Sequence, residues 1–119
     1  MRVEGLFRGT GDPRELRAGE VIFSQGDLGT EMYGIIEGSV ELTVEGRRVA
    51  GLGPDDVFGE MAIIDSSERM ATATATSPTL LAAIDRREFL FLVHETPMFA
   101  LQVMSTLADR LRAAADGAR

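Results

Sequence analysis

The 119-residue chain contains no cysteine, which excludes a disulfide framework, a thiolate metal cluster and a cysteine nucleophile. Histidine is nearly absent as well. His94 is the one present, too few for a metal site built from several histidines on facing strands and remote from any nucleophile turn of a Ser-His-Asp arrangement. No apolar run reaches the roughly 18 residues that a membrane span needs, and the opening Met1-Arg2-Val3-Glu4-Gly5 lacks the apolar region of a secretory signal. Positive charge is scarce: Lys plus Arg total 12 against 19 Asp plus Glu, a net charge of −7, and a surface of that sign does not attract nucleic-acid phosphates. These absences lead to the expectation of a soluble, cytoplasmic protein with no membrane association, no direct nucleic-acid contact and no metal or organic cofactor. Asp55, Asp56 and Glu60 gather in one turn, where solvated charge is the ordinary explanation. No catalytic residue is therefore assigned, and the chain is read as a non-enzyme.

What is present is the composition of a globular protein, 45% hydrophobic and 26% charged, at a length that suits one core and one domain over 1–119. Residues 1–13 read as a lead-in anchored by Leu6 and Phe7. From 14 to 86 the pattern is β. Val21-Ile22-Phe23 stops at Gln25-Gly26-Asp27, and Met32 to Ile36 is closed by Glu37-Gly38. Val40, Leu42 and Val44 alternate with Glu41, Thr43 and Glu45, a period of two that sets one face in a core and the other in water. Glu45-Gly46 offers a hairpin turn before Arg47-Arg48-Val49. Ala71 to Thr76 reads as a strand with a tightly packed alanine face, and Leu80 to Ile84 as another. Turn signals about every eight to twelve residues favour a sandwich or jelly roll.

Residues 87–115 are helical in pattern. Phe89, Leu90, Leu92 and Val93 fit a short helix with His94 as its C-terminal cation, and Thr96-Pro97 interrupts it. A second helix from Met98 to Ala115 carries Leu101, Met104, Leu107 and Leu111 at three- and four-residue spacing. The fold class is mainly β, an antiparallel β-roll or jelly roll with helices at its C-terminal end.

Residues 58–72 carry most of the functional information. Gly59 at a strand end is followed by Glu60, then by the apolar turn Met61-Ala62-Ile63-Ile64, and eight residues separate Glu60 from Arg69. A helix mouth with a guanidinium returned beside it makes a compact anion site, because backbone N–H groups and a fixed cation converge. The neighbouring carboxylate accepts from hydroxyl groups on whatever carries the anion. Phosphate together with hydroxyl reads as a nucleotide.

This stretch resembles the phosphate-binding cassette of the cyclic nucleotide-binding domain family, which includes catabolite activator proteins, regulatory subunits of cyclic AMP-dependent protein kinase and cyclic-nucleotide-gated channels. The flanks agree: Arg17-Ala18-Gly19-Glu20-Val21-Ile22-Phe23, Gln25-Gly26-Asp27, Met32-Tyr33-Gly34-Ile35-Ile36-Glu37-Gly38-Ser39-Val40 and Leu52-Gly53-Pro54. The resemblance runs from about Leu16 to Leu111. It implies the family's double-stranded β-helix, with Arg69 pairing the exocyclic phosphate oxygens and Glu60 accepting from the ribose 2′-hydroxyl. Gly59 would admit the backbone closely, and the N–H groups of Met61, Ala62, Met70 and Ala71 would add donors. Val49 and Ala50 would lie beneath the purine, and Met104, Leu107 and Leu111 of the last helix are candidates to lid it.

Three positions depart from the family pattern. Met70 stands where Ser, Thr or Ala is usual, which removes a hydroxyl that can bond phosphate or the guanine amino group and leans the ligand toward cyclic AMP over cyclic GMP. Glu68 replaces a common proline, and Asp55 a common glycine. An iron–sulfur or haem variant of the same fold would need ligands that are missing. The expected function is a non-catalytic cyclic nucleotide sensor that signals through its C-terminal helices, with Leu101, Met104, Leu107 and Leu111 meeting a protein partner or a second copy. The alternatives are a ligand-free interaction module on the same fold, and a truncated transcription regulator lacking its DNA-binding part.

Overall fold

The computed structural model describes residues 5–117. Eight strands run β1 (Asp12–Leu16), β2 (Val21–Phe23), β3 (Glu31–Glu37), β4 (Val40–Val44), β5 (Arg47–Leu52), β6 (Val57–Phe58), β7 (Thr72–Ala75) and β8 (Thr79–Asp85). Three helices join them: α1 (Met61–Ile64), α2 (Arg86–Glu95) and α3 (Met98–Gly117). The strands form two four-stranded sheets, ordered β1-β8-β3-β6 and β2-β7-β4-β5, with every pairing antiparallel. This is the mainly antiparallel β architecture with C-terminal helices that the turn spacing predicts.

Strand periodicity divides the core in two. On β3 and β8, Met32, Ala82 and Ile84 face the helices with Phe7, Leu92, Phe99 and Val103, whereas Tyr33, Ile35, Leu81 and Ala83 face the interior of the roll with Val40, Leu42, Phe58 and Ala73. β8 is therefore apolar on both faces, which is why it reads as an unbroken hydrophobic run. The alanine face of β7 is buried through Ala73 and Ala75. Gly34 lies on the helix side because a Cβ there would stand 2.4 Å from the Phe7 ring. Phe7, in the segment read as a lead-in, is thus a core residue.

The turns follow local chemistry. Glu45 and Gly46 both take left-handed φ, 51° and 80°, as a two-residue hairpin between right-twisted strands requires. Asp55 holds φ 70°, tolerable for a short polar side chain. Asp85 caps α2 by accepting from the Glu88 N–H at 2.8 Å, and α2 gives way to α3 at Thr96-Pro97.

β1 escaped periodicity, and α3, though read as a helix, docks by a different face. β1 is largely exposed and polar, an edge strand paired with β8 alone, where Pro13 is tolerated. α3 docks through Phe99, Gln102, Val103 and Leu107, so the stripe drawn from sequence is split. Leu107 turns inward, while Leu101, Met104 and Leu111 stay exposed, because the buried register runs at four-residue steps from Phe99. Among the described residues no helix is long and apolar enough to cross a membrane.

Tyr33, the one tyrosine in a chain without tryptophan, is buried between Phe23 and Phe58. Burial raises its pKa above the ordinary 10.0, with the Glu31 charge acting in the same direction and Arg69 opposing. A phenol that is harder to ionise in the fold than in the unfolded chain leaves stability intact below about pH 10 and lowers it as pH climbs through the raised value. Tyrosinate absorbance should therefore titrate later in the native than in the denatured protein, with denaturation midpoints falling over that same window.

Candidate functional site

Buried Val57 and Phe58 bring the chain to Gly59, whose left-handed φ of 76° turns it into α1. A side chain at Gly59 would also meet Arg69 Nη1 at 2.8 Å. Glu60 precedes the helix with αR backbone and is only 3% exposed. Since α1 is four residues long, few peptide dipoles align, and the helix-mouth contribution expected from sequence is small. The Ala62 N–H also contacts the Gly59 carbonyl at 3.3 Å. The positive character of the site comes from side chains instead.

Arg69 supplies it. The residue is 6% exposed, and its backbone is stitched to the loop between β2 and β3: the Arg69 N–H donates to Asp27 O and the Gly26 N–H donates to Arg69 O, each at 2.8 Å. Its guanidinium donates Nη1 to Gly59 O at 2.9 Å and Nη2 to Glu31 O at 2.8 Å. Its Cζ lies 4.1 Å from the centroid of the Phe23 ring, a cation–π arrangement. Among the described residues, Arg69 Nε is a buried side-chain donor without a hydrogen-bond partner. Burial pulls the Arg69 pKa below its ordinary value, with Tyr33, Glu31, Asp27 and Glu60 acting in the opposite direction. A guanidinium nevertheless stays charged in proteins, so the fold holds a cation that is not fully compensated. The nearby Asp65 accepts from Ser67.

These groups open onto a cavity of about 340 Å³ lined by Gly59, Glu60, Met61, Ala62, Glu68, Arg69, Met70 and Ala71 together with Phe23, Leu42, Leu107, Arg110 and Leu111. Met70 does not fill it: the side chain stands at the rim, 69% exposed. Glu68 is likewise exposed at the rim.

Val49 and Ala50 do not line this cavity. The register of β4 with β5 passes from Leu42↔Ala50 to Thr43↔Arg48, so Val49 is the extra residue of a bulge. A bulge re-aims its side chain, and Val49 is 57% exposed. Ala50 packs against the interior cluster of the roll. Leu42 and Phe23 provide the apolar wall that sequence assigned to these two.

Two further residues went unread. Gly29 packs on the guanidinium plane: a Cβ there would stand 2.3 Å from Arg69 Nη2 and 2.5 Å from Cζ and Nε. Arg110 reaches in from α3, donating Nη1 to Glu60 Oε1 at 2.5 Å and Nη2 to the Val57 carbonyl. Gly29 gave no signal beyond lying in a glycine-containing loop, and the Arg110 contact spans 50 residues.

Comparison with known proteins identifies the family of this fold. The sequence profile of the cyclic nucleotide-binding domain matches residues 13–96. The cyclic AMP receptor protein of Thermus thermophilus is 41% identical over 101 residues, 81% of this chain and 47% of its own length. The cAMP-dependent protein kinase regulatory subunit of Yarrowia lipolytica is 40% identical over 72 residues, 60% of this chain and 19% of its own. Among solved structures, the Thermus thermophilus catabolite activator protein superposes with a TM-score of 0.76 at 40% identity, covering 87% of this chain and 51% of that one. The chain spans about half the length, or less, of these relatives. Matched over most of its length in sequence and in structure, the chain belongs to the cyclic nucleotide-binding domain family.

Proposed function

We propose that this chain binds a cyclic nucleotide, cyclic AMP in preference to cyclic GMP, without transforming it, and passes occupancy to a protein partner or a second copy through α2 and α3. The observation that carries this reading is the buried Arg69 guanidinium with Nε unpaired, set in one cavity with the Glu60 carboxylate. A cyclic phosphodiester offers acceptor oxygens for Nε, and its 2′-hydroxyl a donor for Glu60. The volume suits a nucleotide-sized ligand. The two relatives described above are named for cyclic AMP, which supports the base preference together with Met70, a side chain with no hydroxyl to offer a guanine amino group. Met70 and the 73%-exposed Leu111 face the cavity mouth, where a thioether and a branched alkyl group can pack on a flat base. Exposed Leu101 and Met104 on α3 support the partner contact, and a ligand shifts the position of such a helix only by favouring one arrangement over another.

Isothermal titration with cyclic AMP and cyclic GMP tests the proposal. Saturable binding with cyclic AMP the tighter ligand is expected. No heat at millimolar nucleotide leaves the alternative of an interaction module. Gly29→Ala is a sharper probe, because its methyl group displaces only the end of the Arg69 side chain. Cyclic AMP affinity should fall about tenfold or more, the scale of one lost charge-assisted hydrogen bond, with a lower melting temperature as the displaced guanidinium releases the Gly59 and Glu31 carbonyls. An unchanged affinity would show that Arg69 geometry is irrelevant to binding.

A further inference from the structure

A chain without cysteine carries its sulfur only in thioethers, and six methionines hold all of it. A thioether that a peroxide can reach is converted to the sulfoxide, so position and exposure decide which of them react. Met32 is fully buried in the core, and Met61 is half-buried. Met98, Met104 and Met70 are exposed, at 41%, 58% and 69%. Of these three, Met70 is the one that lines the cavity holding Arg69 and Glu60. The most exposed sulfur among the described residues therefore stands at the mouth of the candidate site.

Resting on the cyclic nucleotide reading above, we propose that Met70 is a site of oxidation by peroxides, and that its conversion to methionine sulfoxide weakens nucleotide binding. The step balances without any group of the protein taking part. A sulfur lone pair attacks one peroxide oxygen, the O–O bond breaks and an S–O bond forms. Sulfur is oxidised as it gives up an electron pair, and the peroxide is reduced to water or an alcohol. A Ser, Thr or Ala at this position would have no such chemistry.

The consequence follows from where the sulfur stands. As a thioether, Met70 offers a flexible, polarizable, apolar surface on which a flat base can pack. As a sulfoxide it is polar and chiral, and its oxygen must shed water before a base covers it, which costs free energy unless a donor replaces that water. Oxidation thus opposes binding, and a bound base, in covering the sulfur, opposes oxidation. The core is spared, because Met32 lies beyond the reach of solvent at 0% exposure. The modification needs no unfolding.

The test compares peroxide-treated with untreated protein by calorimetric titration with cyclic AMP, together with peptide mass mapping of each methionine and melting curves to establish folding. Met70, Met98 and Met104 should each gain an oxygen while Met32 does not. Affinity should fall about three- to tenfold, the scale of losing part of one apolar side-chain contact. Met70→Leu has no sulfur to oxidise there and should keep whatever affinity it starts with through the same treatment. The Met98→Leu, Met104→Leu double variant should stay as sensitive as wild type. Saturating cyclic AMP should slow oxygen gain at Met70 by about threefold or more and leave Met98 unaffected. Methionine sulfoxide reductases acting on both epimers should restore the affinity. Full conversion of Met70 with affinity unchanged would overturn the proposal. So would an equal loss in Met70→Leu, or a Met70 that stays reduced while Met98 and Met104 react. Absence of binding to untreated protein would instead remove the cyclic nucleotide reading, and the effect on affinity with it, while the mass map still decides whether Met70 is the sulfur modified.

Discussion

Arg69→Ala is expected to lower cyclic AMP affinity by about 10²- to 10⁴-fold. The Nε–H and a second N–H left over on an Nη atom, both from a charged donor, contribute roughly 1.5–3 kcal/mol each, and each 1.4 kcal/mol is tenfold. Here the donor is already seated, so little ordering entropy offsets that gain. Its Nη atoms are fixed on the Gly59 and Glu31 carbonyls, its face lies on Phe23, and Nε remains for a ligand. Stability should respond less than affinity. The variant leaves two carbonyls to find other donors but relieves the cost of a buried cation, terms of opposite sign. Arg69→Lys keeps the charge and loses the fork, and should bind nearly as poorly as alanine. Calorimetric titration reads the affinity and chemical denaturation the stability. Alanine within threefold of wild type would disconnect Arg69 from binding.

Phe99→Ala should produce the largest loss of stability, about 3–5 kcal/mol. Phe99 is fully buried at the start of α3 and meets Phe7 and Phe89 edge-on, with centroids 6.0 and 5.5 Å apart. Truncation removes both aromatic contacts and leaves a cavity ringed by Met32, Ile84 and Val103, whose own strands and helices limit collapse. Against a typical total of about 5–15 kcal/mol, that is roughly a fifth or more of the fold's margin. Phe99→Leu, which keeps most of the volume, should cost much less. Urea denaturation distinguishes the two. Cyclic AMP affinity should fall in Phe99→Ala as well, because an unanchored α3 no longer presents Arg110 to Glu60.

Much of this could be read from local pattern. Val40, Leu42 and Val44 announce β4 through period two, Glu45-Gly46 its turn, and Thr96-Pro97 the break between α2 and α3. The Gly59, Glu60 and Arg69 grouping follows from spacing and from family likeness, and the three residues do share one cavity. What was not readable depends on long-range geometry. The bulge at Val49 is a property of β4–β5 register, and no composition signal marks it. β1 is a polar edge with nothing to alternate. Arg110 sits among charged residues on a helix end that reads as solvated, and only the packing of α3 against the roll shows that it enters the site. The Leu101, Met104, Leu107, Leu111 spacing was real but did not say which side docks, since Phe99 and Val103 define a second apolar row on the same helix.

The central claim concerns one atom, and nitrogen-detected NMR of arginine side chains observes it. In the free protein the Arg69 Nε–Hε signal, assigned by its loss in Arg69→Lys, should be protected from exchange by burial and lie in the range of a donor without a partner. On titration with cyclic AMP it should move downfield in step with saturation, as the proton enters a charge-assisted bond to phosphate. Saturable nucleotide binding that leaves this resonance in place would contradict the account.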